Sequence, residues 1–488
     1  MNVNPITRLD YPDPDVIRVE DTYYMVSTTM HFMPGCEILQ SFDLVHWEHV
    51  TYVYETLDHT DAQQLKSGQN IYGQGMWAAS LRYHEGRFCI CFVANDTRKT
   101  YLYTSEKIDG PWKKQLIEGF YHDGSLLFDE DGRNYIVYGN DEIWITELNE
   151  DLTAPKKDGL HRLLVSDHKN PELGYEGSHI QKINGYYYIF LIHSLRDRWM
   201  RTEACFYSDS LEGEFTGGDV LCDDRGYCGQ GVAQGGIVDT PDGKWYAMLF
   251  QDSGAVGRIP ILLPVTWKDH FPFFGQNGHV PEEIEVHSTR PGYIYQPLVG
   301  SDDFCNGLLP RWQFNHDPDP RYYHLDALQG TYTITTREVC TELTQAVNTL
   351  TQRMSYPSCA AEVTVDASAL KEGDVAGLCA LQSCYAAVGI TKHHGKYEVL
   401  MLDKKEDGIL DMTEGTVVES HQMDFRLEAD FCNMKDEARC YYRVNKGDWL
   451  PIGTVHKLYF KLDHFTGCRF GLFCYAAVSY THLRAHET

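Results

Sequence analysis

The stretch DPDVIRVEDTYYMV, residues 13–26, is the first copy of a repeat, and our prediction of the fold rests on that repeat. It begins with an acid and a small residue, continues as a short apolar strand, turns at Glu20-Asp21 and returns as a strand rich in tyrosine. The same unit begins again, at intervals of 64, 46, 53 and 58 residues, at Trp77, Asp123, Glu176 and Gln234. Repeats at this spacing are typical of solenoids and propellers.

The later units each carry a polar turn between two apolar runs, at Glu85-Gly86, Asp131-Gly132, Asn184-Gly185 and Asp242-Gly243. Such turns, above all Asn-Gly and Asp-Gly, are strong hairpin signals. Three of the units share a further similar segment, at residues 41–47, 105–112 and 208–215, which predicts an outer strand. Four strands per unit indicate propeller blades. We therefore predict a five-bladed β-propeller over residues 1–295. The alternative, a β-sandwich with coincidental hairpins, is disfavoured because five units match in register.

The first residue of each unit is the place to look for chemistry. In a propeller the inner strand of each blade lines the central channel, so strand starts converge at one mouth. These residues are Asp13, Trp77, Asp123, Glu176 and Gln234. Three carboxylates in one pocket repel each other, which folding does not require, so the cluster indicates either a bound cation or acid–base chemistry. Taken alone, each reads as an ordinary strand-end acid facing solvent.

The net charge narrows the choice of partner. The chain has 70 acidic against 42 basic residues, a formal net charge of −28, and no run of Lys or Arg. We expect neither nucleic acid nor an anionic membrane surface as a partner, because both require basic patches. No apolar stretch approaches the ~20 residues that span a bilayer. A small neutral substrate fits better.

Cysteine usage and the N-terminal residues bear on location. The 15 cysteines include no C-x-x-C pair, and the N-terminus lacks the pattern of a signal peptide. These features predict a reducing cytoplasm, with a trimmed N-terminus as the alternative.

From about Ser301 the sequence no longer follows the repeat of the first half. Short alternating strands predict a β-sandwich of concanavalin-like or jelly-roll type over residues 300–477, which makes the protein all-β. We expect it to pack against the propeller, because residues 280–300 are not a flexible Gly/Ser tether; independent glycan binding is the alternative. Residues 478–488 fit no strand. We predict a non-native tail on a sandwich that lacks its last strand, with an ordinary frayed C-terminus as the alternative.

Several of these motifs resemble glycoside hydrolase family 43. They are YPDPDVIR at 11–18, MWAASLR at 76–82, HDGSLLFD at 122–129, YEGSH at 175–179, AQGGIVDTPDG at 233–243, GAVGRIP at 254–260 and PVTW at 264–267. The resemblance covers roughly residues 5–290 and extends into the second domain. It implies hydrolysis of glycosidic bonds with inversion at the anomeric carbon. An inverting pair of carboxyls stands about 6.5–9.5 Å apart, which leaves room for a water.

The resemblance also assigns catalytic roles. Asp13 corresponds to the general base that activates water, and Glu176 to the general acid. Asp123 corresponds to a third carboxylate that orients the acid and raises its pKa.

The remaining matches concern substrate binding. Trp77 corresponds to a wall of the sugar pocket, with core packing as the alternative. Arg258 corresponds to an arginine that reaches substrate hydroxyls, with support of the carboxylates as the alternative. His31 and Phe32 correspond to a loop at the pocket edge. Some family members bind calcium or another cation in the channel through a histidine of the fifth blade. Gln234 occupies that register here, so we predict no required metal or other cofactor. We expect Gln234 to be one of the substrate-binding residues.

The resemblance implies an exo-acting hydrolase that releases terminal xylose or arabinofuranose from xylo- and arabinoxylo-oligosaccharides. It does not separate β-xylosidase from α-L-arabinofuranosidase. Two alternatives are a non-catalytic carbohydrate-binding propeller and an endo-arabinanase. An endo-arabinanase would require an open groove. A retaining fructan hydrolase would carry Asn-Asp-Pro-Asn and Arg-Asp-Pro motifs, and neither occurs.

Overall fold

The computed structural model describes residues 2–477. The tail predicted at 478–488 lies outside the described residues. Five four-stranded antiparallel sheets follow one another along the first half of the chain. They form the five predicted blades, and each predicted turn joins the first two strands of its blade.

The strand bounds of the blades are as follows. Blade 1 comprises Asp15–Val19, Thr22–Val26, Gly35–Ser41 and Glu48–Tyr54. Blade 2 comprises Met76–His84, Arg87–Ala94, Lys99–Ser105 and Lys113–Ile117. Blade 3 comprises Ser125–Phe128, Asn134–Asn140, Glu142–Leu148 and His161–Ser166. Blade 4 comprises Glu176–Ile183, Tyr186–Ser194, Arg201–Ser208 and Thr216–Leu221. Blade 5 comprises Ala233–Asp239, Trp245–Asp252, Arg258–Lys268 and Phe271–Phe274.

Apolar packing between neighbouring blades holds the ring together. A separate buried cluster fills each of the five interfaces between blades. The ring closes where Val16 and Met25 of blade 1 pack with Met248 and Leu262 of blade 5. Burial of apolar area, worth about 25 cal/mol per Å², stabilises this closure without a strand shared between the two blades.

Hydrogen bonds hold the N-terminal segment against blade 5 and the chain that follows it. Asn2–Val3 pairs with Glu283–Ile284. The Asn4 side chain donates to Leu262 O (2.8 Å) and accepts from Leu262 N (3.0 Å).

The second half of the chain forms a sandwich. Its larger sheet has the order Leu410–Met412, Lys396–Lys404, Ala386–His393, Asp374–Leu381, Arg469–Ala476, Leu350–Arg353, Gln313–Asn315 and Phe32–Met33, with Thr416–Val418 beside Lys396–Lys404. Its smaller sheet has the order Ser358–Asp366, Gln422–Asp430, Glu437–Val444 and Leu450–Lys457. Exposure alternates along Ser358–Asp366, as expected for a strand with one face on the core.

One hairpin of the second half lies outside these two sheets. In it, Thr331–Ile334 pairs with Tyr323–Asp326.

The two halves are joined by backbone pairing. Phe32–Met33 comes from a loop of blade 1, yet it forms an edge strand of the sandwich sheet through Phe314↔Met33 and Asn315↔Phe32. The sandwich therefore packs against the propeller, as expected.

Helical structure in the described part is limited to short 3₁₀ turns at Lys66–Gly68, Gly254–Val256, Leu343–Gln345 and Cys432–Met434. Within residues 2–477, none of these is long and apolar enough to cross a membrane. All 15 cysteines are free.

Candidate active site

The residues that start the inner strands meet at one mouth of the propeller. The backbone is left-handed at Asp13 (φ 52°), Asp123 (φ 47°) and Gln234 (φ 64°). Bulges interrupt the pairing at the start of the inner strands of blades 2, 4 and 5. Bulges and left-handed residues redirect side chains and cluster at functional sites. They turn these side chains toward the channel mouth.

Asp13 is the most firmly held of the three acids. Its Oδ2 accepts a hydrogen bond from Thr28 Oγ1 (2.6 Å), and its Oδ1 accepts one from Arg258 Nη1 (2.9 Å). The residue is buried. Because both oxygens serve as acceptors, the arrangement suits a carboxylate that takes up a proton.

Asp123 lies beside Glu176. Its Oδ2 accepts a hydrogen bond from the backbone N–H of Gly177 (3.0 Å), which directly follows Glu176. Burial, opposed by the imidazole of His122 and assisted by the carboxylates of Glu176 and Asp13, raises the pKa of Asp123 to about 6. The charges of both other acids thus act on this group, as the prediction of one shared pocket requires.

Glu176 is the most accessible of the three, with 21% of its side chain exposed. Asn140 Nδ2 donates to Glu176 Oε2 (2.7 Å), and His122 Nε2 lies 3.4 Å from the same oxygen. These contacts leave Oε1 to carry a proton toward a substrate.

Gly177 allows Glu176 to take this position. Its φ of 65° is left-handed, and a Cβ on it would lie 2.7 Å from Cδ of Gln234. Any other residue here would be strained and would push against Gln234.

His122 is a functional residue that the sequence reasoning missed. Its Nε2 lies 3.5 Å from Asp123 Oδ2 and 3.4 Å from Glu176 Oε2. Burial would lower the pKa of His122, but the carboxylates of Asp123 and Glu176 outweigh it and raise that pKa to about 9. The ring therefore brings a positive charge to the acids. The available signal is its place directly before Asp123 in the HDGS motif.

Three side chains form the walls of the pocket. Trp77 packs edge-on against His122, with ring centroids 5.9 Å apart. Arg258, hydrogen-bonded to Asp13, lies under the ring of Phe465 at 4.2 Å. Phe465 also approaches Trp77, at 5.8 Å between centroids. Arg258 thus supports a carboxylate and lines the pocket as well.

Phe465 belongs to the sandwich, and no sequence signal pointed to it. It lies in the loop between Leu450–Lys457 and Arg469–Ala476. The second half of the chain thereby completes the pocket wall.

Gln234 lies beside the acids and is almost fully buried. Its side chain rests against Gly177, and its backbone N–H donates to Glu203 Oε2 (2.7 Å). This position supports the start of the inner strand of blade 4.

His31 and Phe32 do not lie at the pocket edge, which corrects the prediction. His31 is 0% and Phe32 is 2% exposed. The His31 ring contacts Phe32, Tyr72, His316 and His464. Both residues are buried in the interface between propeller and sandwich, because residues 32–33 pair with the sandwich sheet.

One group of side chains in the described part could hold a metal ion, with ligand atoms of His122, Asp123 and Glu176 within 4.8 Å of one another. The donor set does not fit a calcium ion. Calcium takes six to eight oxygen ligands, and an imidazole whose pKa is about 9 is protonated at neutral pH and has no free lone pair.

Comparison with known proteins agrees with this geometry. The model of glycosyl hydrolases family 43 matches residues 3–272, and that of the beta xylosidase C-terminal concanavalin A-like domain matches residues 301–485. A beta-xylosidase of Formosa agariphila is 26% identical over 96% of this chain and 87% of its own length. A non-reducing end alpha-L-arabinofuranosidase of Bacteroides ovatus is 24% identical over 84% of this chain and 79% of its own.

A solved structure of a bifunctional GH43-CE protein of Bacteroides eggerthii superposes with a TM-score of 0.91 at 42% identity. The match covers 98% of this chain and 62% of that protein, so this chain spans less than two thirds of it. Since a family model matches more than half of the sequence, and three acids, an arginine and two aromatic rings meet where the repeats predicted a site, this chain belongs to glycosyl hydrolase family 43.

Proposed function

We propose that this protein is an exo-acting, inverting glycosidase that releases terminal xylose or arabinofuranose from short xylo- or arabinoxylo-oligosaccharides. The observation that carries the proposal is the meeting of Asp13, Asp123 and Glu176 in one pocket. The names of the relatives, a beta-xylosidase and a non-reducing end alpha-L-arabinofuranosidase, support the two pentoses.

In this mechanism Asp13 and Glu176 each carry out one of the two proton transfers. Asp13 removes a proton from a water as the water oxygen attacks the anomeric carbon. Glu176 gives its proton to the glycosidic oxygen as the bond from that oxygen to the anomeric carbon breaks. Asp13 ends protonated and Glu176 ionised, and exchange with solvent restores both.

Asp123 and His122 set the charge around this pair. Asp123 holds the backbone that follows Glu176 through the Gly177 N–H. His122 balances part of the negative charge that would otherwise accumulate in the buried pocket. Arg258 holds Asp13 with one nitrogen, while its Nε and Nη2 have no partner among the described residues.

The pocket walls favour exo action. Phe465 contacts both Arg258 and Trp77 beside the acids, and such contacts favour a pocket that accepts the terminus of an oligosaccharide. An endo-arabinanase needs a groove open at both ends, so this contact speaks against that alternative. Short soluble oligosaccharides also suit the cytoplasmic location that we propose, which the free thiols support.

Hydrolysis of two aryl glycosides tests the function. We expect wild-type protein to hydrolyse p-nitrophenyl β-xyloside, p-nitrophenyl α-L-arabinofuranoside or both, and NMR to show inversion at the anomeric carbon. Glu176→Gln removes the proton donor and should lower kcat on an unactivated xylobiose by 10²–10⁴-fold. Binding without turnover by the wild type would favour the carbohydrate-binding alternative. Turnover by Glu176→Gln at the wild-type rate would remove Glu176 as the acid.

A further inference from the structure

A buried carboxylate, Asp10, lies at the junction of the propeller, the sandwich and the active site. Its Oδ1 accepts a hydrogen bond from the backbone N–H of Arg258 (2.8 Å), and its Oδ2 accepts one from the backbone N–H of Gly467 (2.8 Å). The residue is 5% exposed. One side chain thus connects two backbone segments from different halves of the protein.

Both segments lead directly into the pocket. Arg258 is the first residue of its strand, and its side chain binds Asp13. Gly467 follows Phe465 by two residues, and the Phe465 ring covers the Arg258 guanidinium at 4.2 Å. Asp10 itself lies behind the wall that these two residues form.

The packing leaves Asp10 little freedom. A Cβ on Gly257 would lie 2.3 Å from Asp10 Oδ1, and a Cβ on Gly467 would lie 2.2 Å from Val256 O and 2.9 Å from Asp10 Cβ. The backbone carbonyl of Asp10 accepts from Arg353 Nε (2.9 Å), and Cys468 N donates to Ala255 O (2.8 Å). The carboxylate is therefore held between two closely approaching backbones.

We propose that Asp10 is a positioning residue for the glycosidase reaction: it makes the placement of Arg258 and Phe465 over the sugar depend on docking of the sandwich. The inference rests on the proposed function. Asp10 does not touch the substrate and acts through the two residues whose backbones it aligns.

Asp10→Asn is the decisive variant, since it keeps the shape but turns an amide N–H toward one of the two backbone N–H groups. Hydrogen bonds to a charged group are stronger than those between neutral groups. We expect KM for the aryl pentoside to rise about tenfold or more, with a smaller change in kcat, because Arg258 and Phe465 bind the ground state.

The matched control is Asp317→Asn. Asp317 is also a buried carboxyl between the two halves, paired with His59 (2.8 Å), and it contacts neither the Phe465 loop nor Arg258. We expect this control to lower the melting temperature without changing KM. In the double variant of Asp10→Asn and Phe465→Ala, KM should rise by less than the product of the two single fold-changes. The reason is that both changes disturb the same contact.

Hydrogen exchange supplies a readout that needs no turnover. In Asp10→Asn the Gly467 amide should exchange at least tenfold faster than in wild type, and in Asp317→Asn it should not. Unchanged exchange at Gly467, or a KM no different from that of Asp317→Asn, would overturn the proposal. If the wild type hydrolyses neither substrate, the proposed function fails, while the exchange at Gly467 still decides whether Asp10 positions this loop.

Discussion

At the scale of single residues, the imidazole of His122 decides the charge balance of the active site. It lies within 3.5 Å of oxygens of both Asp123 and Glu176. Three carboxylates alone would repel one another in a buried pocket, and one cation among them reduces this repulsion. The sequence shows which acids are present, but it does not show that this ring faces them.

His122 should therefore stabilise the fold in a pH-dependent way. Its pKa is raised from 6.5 to about 9 in the folded protein. The stabilisation is fully present below about pH 6.5 and is lost as the pH rises through about 9. We expect His122→Gln to lower the free energy of unfolding by about 3 kcal/mol near pH 6, and by much less at pH 10.

Thermal unfolding of both proteins from pH 6 to 10 measures this difference. His161→Gln, an exposed histidine on the outer strand of blade 3, is the control and should show no such trend. A constant difference between wild type and His122→Gln across this range would contradict the assignment.

At the scale of elements, the inner strands of blades 4 and 5 each begin with a bulge and a left-handed residue. In blade 4 this geometry depends on Gly177, whose φ is 65° and whose missing side chain leaves space for Gln234. A regular strand would alternate its side chains without this kink and would aim Glu176 elsewhere.

Gly177→Ala should therefore impair catalysis more than stability. A left-handed alanine costs roughly 1–2 kcal/mol, and the new Cβ would displace Gln234 and the backbone next to Glu176. We expect kcat to fall at least tenfold. Gly185→Ala is the matched control, because Gly185 is left-handed too (φ 84°) but has nothing within 4 Å of a Cβ. The control should lose similar stability and keep its kcat, and equal kcat losses in both variants would argue against the role of Gly177.

At the scale of the whole molecule, the interface between propeller and sandwich contains buried histidines. His31, His316 and His464 surround Tyr72, whose ring stacks on His464 at 3.9 Å. Burial lowers the pKa of His31 and His316 well below the usual value and lowers that of His464 to about 3. The folded protein thus holds these rings neutral at neutral pH.

The interface should weaken in acid. Below pH 6.5 the unfolded chain gains protons at these histidines that the folded protein does not accept, so stability falls as the pH drops from 6.5 toward 3. Each such histidine lowers the free energy of unfolding by up to about 1.4 kcal/mol for each unit by which the pH falls in this range. His31→Phe removes one of them and puts in its place an aromatic ring that does not titrate.

We expect the melting temperature of His31→Phe to fall less between pH 7 and pH 5 than that of the wild type. His324→Phe, an exposed histidine of the sandwich, serves as the control and should follow the wild type. An equal fall in all three proteins would mean that His31 is not held neutral by the interface.

The repeat beginning at Asp13 and its four later copies were enough to predict the propeller, its hairpins and the meeting of three acids. They suffice because hairpin turns and the two-residue period of strands are set by neighbours in the chain, and five copies in register leave one way to close the ring. The positions of His31 and Phe32 could not be predicted in this way. Their burial follows from a short strand that pairs with residues almost 300 positions later.

Local sequence patterns were therefore sufficient to predict the kind of fold and the three acids that meet at the channel mouth. What surrounds these acids is visible only in the folded protein: the charge of His122, the ring of Phe465 and the Asp10 carboxylate between Arg258 and Gly467. Gly467 is 457 residues from Asp10 in the chain. Contacts of that range depend on how two packed domains meet, and no local pattern of residues encodes that meeting.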